Sequence, residues 1–382
     1  MFPIIETIDD VLPHIRGNDN FHVNYKEDYI VIDYIVNTPD TFHNAVEKEC
    51  RGIIFYKDGR IMARRLHKFF NVNERPETLV ENLDFSKPHV ILEKLDGSMV
   101  TTMISYGKMT WGSKAGVTFL TPQIEAFVEK NPKYLEFANW CMSEWSMTPI
   151  FEWCSNQNRI VISHPEDRLV LIGIRHNVSG NYLEYSRMNH IALAFDVDVV
   201  KQYPGTVASM QELVEAVKPM EGLEGFVVRW SDGSMVKIKA DQYCLLHRSK
   251  DELAREKNVI AILVEGMADD FRLLLTEPDR EKFEEFEYEF WCNFNEQADN
   301  IFGVLEHYNA TNMTRKEFAL ESKDWVNSYV RATAFTFFDK ISINITEVKQ
   351  HLLDILKKNT GSQTNVDKAR SIWDNGNLKW VY

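Results

Sequence analysis

The chain has 382 residues, 57 of them acidic and 43 basic, for a net charge of −14. Apolar residues make up 44% and mean hydropathy is −0.32, as in proteins with real hydrophobic cores. The charge excludes indiscriminate coating of nucleic acid, although it leaves room for a basic groove inside an acidic shell. No apolar run approaches the ~18 residues of a membrane span, so no membrane is implied.

The length suggests two to three domains of roughly 100–200 residues. The start, MFPIIETIDD, has neither a basic nor an apolar signal region, so no leader peptide is expected. The five cysteines are odd in number and none is spaced C-x-x-C. That argues against a disulfide framework or a zinc site and fits a reducing cytoplasm.

Turn residues divide the chain. Residues 1–250 hold 13 of the 17 glycines and 11 of the 12 prolines. Strands are predicted at 30–36, 51–56, 90–95, 150–155, 168–175, 224–230 and 235–240, with helices around 121–145 and 207–217. After residue 250 the punctuation nearly stops. Phe283, Phe286, Phe290, Phe294, Ile301 and Leu305 follow helical spacing, which predicts a long amphipathic helix. The boundary is placed near 245–252, giving domains 1–248 and 249–382. Residues 261–310 carry −10 and 311–382 carry +3. The acidic block reads as a solvated helix face.

Glu93-Lys94-Leu95-Asp96-Gly97-Ser98 is a strand end running into a turn. Lys94 there is either an exposed lysine or a nucleophile. A nucleophilic amine must be neutral, so the second reading requires a depressed pKa. Gly97 would permit close approach of backbone and ligand. Glu152 lies in an apolar strand and needs a partner. It is either half of an ion pair, with Arg159 as a candidate, or functional. Cys154, on the same face as Glu152, reads as a small packing residue. Glu224-Gly225 opens a strand. In the next one, Lys237 and Lys239 share a face, where two like charges repel unless an anion sits between them. Arg51, Lys68 and Lys114 add cations beside other strands or turns.

In order, E-C-R-G-I-x-F (49–55), K-F-F-N (68–71), K-x-D-G-S (94–98), S-K (113–114), F-E (151–152), E-G-x-V (224–227), K-I-K (237–239) and Y-x-x-L-H (243–247) resemble the covalent nucleotidyltransferases, and most closely the RNA ligase 1 family of the T-even phages. The match is strong over 34–250 and weaker beyond, extending to G-x-x-D-D at 266–270.

The resemblance implies an α+β nucleotidyltransferase domain with antiparallel sheets, followed by an all-α C-terminal domain. It implies an ATP-dependent RNA ligase in which Lys94 takes AMP, passes it to an RNA 5′-phosphate, and a 3′-hydroxyl then displaces it. Lys237 and Lys239 would serve the α-phosphate and the leaving group. Arg51, Lys68 and Lys114 would hold other phosphates or the RNA end. Phe70 would stack on adenine, Tyr34 would lie near the phosphates, and Gly225 would belong to the nucleotide site. Glu152 would take ribose or a metal-bound water, with Asp96, Glu152, Glu224, Asp269 and Asp270 as candidates around Mg²⁺. The implied partner is an RNA end, such as a nicked tRNA anticodon loop, in the cytoplasm, with no obligate protein partner. The alternatives are a DNA ligase or capping enzyme, which would append an OB-fold barrel after K-x-K, and a non-catalytic module that binds RNA ends. Motif three here lacks the family's usual Ala-Pro pair.

Overall fold

The structure, a computed structural model, describes residues 2–35, 41–158, 160–311, 313–322, 328–338, 344–373 and 378–382. It divides into two compact units, Met1–Cys244 and Leu245–Tyr382. Twelve strands are described, all in the first unit, and they form three four-stranded sheets.

The first sheet runs in order β1 (Phe21–Tyr25), β2 (Tyr29–Tyr34), β3 (Arg51–Tyr56) and β4 (Ile61–Ala63). Ile53, Ile54 and Phe55 are all fully buried, which explains the uninterrupted apolar run of β3. The remaining strands are β5 (Phe70–Asn71), β6 (His89–Lys94), β7 (Ser98–Ser105), β8 (Lys108–Ser113), β9 (Met147–Cys154), β10 (Arg168–His176), β11 (Gly225–Trp230) and β12 (Met235–Lys239). The second sheet has the order β10-β9-β7-β8 and the third β5-β12-β11-β6. Pairing is antiparallel throughout, except for the two-residue parallel contact of β5 with β12.

Local sequence explains several turns. Tyr106 and Gly107 both take positive φ between β7 and β8, the requirement of a two-residue hairpin turn. The expected helix over 121–145 is two helices, Thr121–Lys130 and Lys133–Trp145. Pro132 between them cannot donate the hydrogen bond that would continue the first. The strand expected at 30–36 ends at Tyr34, and Val36 lies outside the described residues.

The two helices over 121–145, with Tyr185–Ala194, cover one face of the second sheet. The helix Met210–Val217 covers one face of the third. The chain passes from the third sheet to the second through the short turn Leu95–Gly97, so Lys94 stands at the junction of the two.

The second unit is helical among its described residues. Its longest helix, Asp279–Thr311, buries Phe283, Phe286, Phe290, Phe294, Ile301 and Leu305, the stripe expected from their spacing. No described helix is long and apolar enough to cross a membrane.

Candidate active site

The faces of the second and third sheets that the helices leave open border a cleft of about 240 Å³, with residues of the first sheet at its rim. Register places its charges. Gly225 pairs with Lys94 on one side and with Lys239 on the other. Val227 pairs with Leu92 and Lys237 in the same way. Period-two alternation therefore puts Lys94, Lys237 and Lys239 on one face. Gly225 has φ of +149°, and a Cβ there would fall on the Ile238 carbonyl. No other residue lets the three strands close at this point.

Glu224 joins two of the lysines. Lys94 Nζ lies 2.7 Å from its Oε2 and Lys239 Nζ 2.9 Å from its Oε1. The Glu224 side chain is 4% exposed. Lys237 has no carboxylate within ion-pair distance among the described residues. Burial, reinforced by Lys94, Lys68, Arg51 and Lys239, holds its amine down to about 7. Across the cleft, burial pushes the Glu152 carboxyl up to about 7, against the pull of Lys94. The cleft thus offers partnerless positive charge to an anion, with a carboxyl poised near neutrality beside it.

Arg51, Lys68 and Tyr34 also line the cleft. The Lys68 ammonium lies 5.0 Å from the Tyr34 ring centre and 5.3 Å from that of Phe70, and burial lowers its pKa.

The RNA ligase family pattern matches residues 49–243, about half of the chain. The chain belongs to the RNA ligase family. A candidate RNA ligase of Thermovibrio ammonificans is 32% identical over 283 residues, covering 71% of this chain and 72% of that protein. RNA ligase 1 of bacteriophage TS2126 is 24% identical over 244 residues, covering 61% and 60%. A solved archaeal ATP-dependent RNA ligase has 13% identity and a TM-score of 0.44, with 64% of each chain covered.

The ligase departs from several residue expectations. Phe70 does not line the cleft. It is buried, edge-on to Phe42, with Arg75 4.8 Å from its ring centre. Phe69, one residue earlier and on the opposite side of the chain, faces the cleft beneath Arg51 and Lys237. Lys114 is not a cleft residue either. Asp33 takes its ammonium at 3.1 Å, and the Tyr34 ring centre lies 3.8 Å away.

Asp96 is 2% exposed and its carboxylate is already in use. Oδ2 accepts from the Val161 and Ile162 amides at 2.8 and 2.6 Å, and Oδ1 accepts from the Tyr243 hydroxyl at 2.7 Å. It fastens the turn behind Lys94 and does not present oxygen to the cleft. Gly97 is required by the chain itself, since a Cβ there would meet the Trp153 carbonyl. Asp269, in the second unit, pairs with Arg272 at 3.0 Å. The Asp270 side chain and Arg159 lie outside the described residues. Cys154 is buried, and burial pushes its thiol to about 12, so it packs and does not react.

No cluster of three or more His, Cys, Asp or Glu suited to a metal occurs among the described residues. Mg²⁺ characteristically binds through one or two carboxylates plus substrate phosphates and water. Glu152 in the cleft, with Glu224 behind the lysines, fits that mode.

Proposed function

We propose that this ligase seals RNA 5′-phosphate to 3′-hydroxyl ends at the expense of ATP, through a lysyl-AMP on Lys94 and an RNA-adenylate. The observation that carries the reading is the sharing of Glu224 by Lys94 and Lys239, with Lys237 in register beside them.

In the first step Lys94 Nζ attacks the α-phosphorus of ATP. A P–N bond forms, the bond to the β-phosphate oxygen breaks, and pyrophosphate leaves. The Lys94 ammonium first gives one proton to Glu224 Oε2, in contact with Nζ, so that the neutral amine attacks, and a second proton passes to solvent as the P–N bond forms. In the second step an RNA 5′-phosphate oxygen attacks the same phosphorus, and the P–N bond returns its electron pair to Lys94. In the third, a 3′-hydroxyl oxygen attacks the RNA 5′-phosphorus, the phosphoanhydride bond to AMP breaks, AMP leaves and the hydroxyl proton passes to solvent. Negative charge spreads over phosphoryl oxygens each time. Lys237 and Lys239 stand where that charge develops, and Arg51 and Lys68 extend the cationic surface along the cleft. A Mg²⁺ ion held by Glu152 would add further charge neutralisation.

The helical second unit and the positive balance of 311–382 support a structured RNA substrate, for which a nicked tRNA anticodon loop is the proposal. Loops and ends are the parts of RNA whose bases proteins reach most readily. No strand follows Lys239 among the described residues, which weighs against the barrel that a DNA ligase or capping enzyme would carry.

The test is incubation with α-labelled ATP and Mg²⁺ followed by a denaturing gel. The expected result is a covalent label that Lys94→Ala abolishes. A label that survives that substitution, or none on the native protein, would sink the reading. Deleting 252–382 is expected to spare labelling while altering tRNA preference. Equal sealing of tRNA and unstructured RNA by both forms would refute the substrate proposal.

A further inference from the structure

Nothing in the motif order assigns a role to Arg229. It lines the cleft, yet it is 4% exposed. Both terminal nitrogens of its guanidinium, Nη1 and Nη2, lack a hydrogen-bond partner among the described residues. No carboxylate lies within ion-pair distance of it there either. The Tyr182 ring centre lies 6.0 Å from its guanidinium carbon. A buried, unpaired cation is among the more expensive features a fold can keep. A guanidinium has only donors to offer, so whatever relieves it must be an acceptor.

Its position says which acceptor. Arg229 sits on β11 four residues beyond Gly225, about 13 Å along the strand. It pairs with Val90 and Met235. Its side chain is on the same face as Lys94 and Lys237, at the far end of the cleft from Lys94. Nη1 lies 3.9 Å from where a Cβ on Gly173 would stand, so the guanidinium spans to the opposite sheet. Between the two ends the lining is apolar: Leu92, Val227, Met99, Ile172, Val200 and Leu66. A ligand with phosphate on the lysines therefore lays a flat apolar body over these residues and brings its outer edge to Arg229.

We propose that Arg229 holds the base of the nucleotide that charges Lys94, donating to lone pairs on the ring nitrogens of a purine. This rests on the ATP reading of the cleft. A guanidinium would serve the O6 and N7 of guanine as readily as the ring nitrogens of adenine. A pyrimidine ring, being shorter, falls short of it. Arg229 thus favours purines over pyrimidines without choosing between the two purines.

The test measures Lys94 labelling at varied nucleotide for the native ligase, R229M and R229K. The nucleotides are ATP, its 1-deaza, 3-deaza and 7-deaza analogues, and CTP. The native ligase is expected to lose about ten-fold or more in kcat/KM with at least one analogue, the worth of a hydrogen bond to a charged donor. R229M is expected to raise the KM for ATP by a similar factor, to be indifferent to that same analogue, and to narrow the gap between ATP and CTP. Native ligase that treats all three analogues as ATP overturns the inference, as does R229M that still discriminates among them. Should R229M fail to fold, R229K carries the comparison, because a lysine keeps the charge and loses the fork. Failure of the native ligase to label with ATP would defeat the ATP reading itself, a different outcome from labelling that ignores Arg229.

Discussion

The Lys94 ammonium meets Glu224 Oε2 at 2.7 Å while the other oxygen of that carboxylate holds Lys239 at 2.9 Å. One buried acid therefore sets the position of two cations with different tasks. Glu224→Ala is expected to reduce lysyl-AMP formation by at least about a hundred-fold, through loss of both position and proton acceptance. Glu224→Gln keeps the shape and should recover part of the positioning but not the proton transfer. The check is single-turnover labelling across pH, in which equal rates for Gln and Glu would remove the proton-accepting role.

Two groups in the free cleft titrate near pH 7 from opposite directions. The Glu152 carboxyl is raised from 4.5 to about 7, so the folded chain holds its proton more tightly than the unfolded chain. Its contribution to stability is greatest below pH 4.5 and is lost as pH rises through 7. The Lys237 amine is lowered from 10.5 to about 7, so its burial costs stability at acid pH and that cost is relieved between 7 and 10.5. Free ligase is expected to pass through a shallow stability minimum near neutrality in urea unfolding followed against pH. Glu152→Gln should remove the acid limb and Lys237→Met the alkaline one, each by about 1–3 kcal/mol. Bound phosphate supplies Lys237 with a partner, so nucleotide binding near pH 8 is expected to take up protons. Calorimetry in buffers of different ionisation enthalpy reads that directly.

Phe69 and Phe70 are adjacent and do opposite jobs. Phe70→Leu is expected to lower stability by about 1–2 kcal/mol with little change in the KM for ATP, because its ring packs in the interior. Phe69→Leu is expected to raise that KM while the melting temperature moves less. Thermal melts beside labelling kinetics separate the two, and a reversed pattern would return adenine contact to Phe70.

Residue order explains what the sequence could and could not disclose here. RGIIFY holds an unbroken apolar run and EGFVVRW one broken only by Arg229, each between turn residues, so their strands are plain. SMVTTMIS and KMTWGS mix threonine and lysine into β7 and β8 and carry no clear period, so the hairpin they form passes unnoticed. Motif order alone points to Lys68, Lys94, Lys237 and Lys239, which line the cleft, and to Lys114, which does not. The part Asp96 plays does not follow from that order, since its partners Val161, Ile162 and Tyr243 stand 65 or more residues away. Arg229 is equally hidden: in a half-buried strand an arginine reads as solvent-facing, and only the opposing sheet makes it a buried one.

The three hydrogen bonds to Asp96 give it a positioning role that differs measurably from metal binding. Tyr243→Phe removes one of them and leaves the carboxylate in place. It is expected to cost about 1.5–3 kcal/mol of stability and to slow lysyl-AMP formation, with the Mg²⁺ concentration for half-maximal rate unchanged. Asp96→Asn should slow the reaction further, again without moving that midpoint. A midpoint shifted several-fold by either variant would restore the carboxylate to the metal.

Glu49 stands two residues before Arg51 in the E-C-R-G run, yet it belongs to the scaffold. Its side chain is 1% exposed, 3.0 Å from Arg64 Nε and 2.7 Å from Arg175 Nη1. Arg64 also donates to the carbonyls of Pro3 and Val178, and Arg175 to that of Arg65, so the acid ties the N-terminal segment, the start of β3 and the hairpin after β10 together. Burial alone would raise its pKa, but Arg175 and Arg64 outweigh it and bring the carboxyl from 4.5 down to about 2. The stability it contributes is complete above pH 4.5 and disappears as pH falls toward 2. Glu49→Gln leaves two buried guanidinium groups without a counter-charge and is expected to destabilise the fold by about 3–5 kcal/mol. Because Glu49 ends the helix Ala45–Glu49 and does not line the cleft, whereas Arg51 opens β3 and does, labelling per folded molecule should fall far less than stability does. Urea unfolding at pH 7 and pH 3 checks the assignment. A Glu49→Gln deficit that stays the same at both values would mean that other carboxylates, not this one, carry the acid sensitivity.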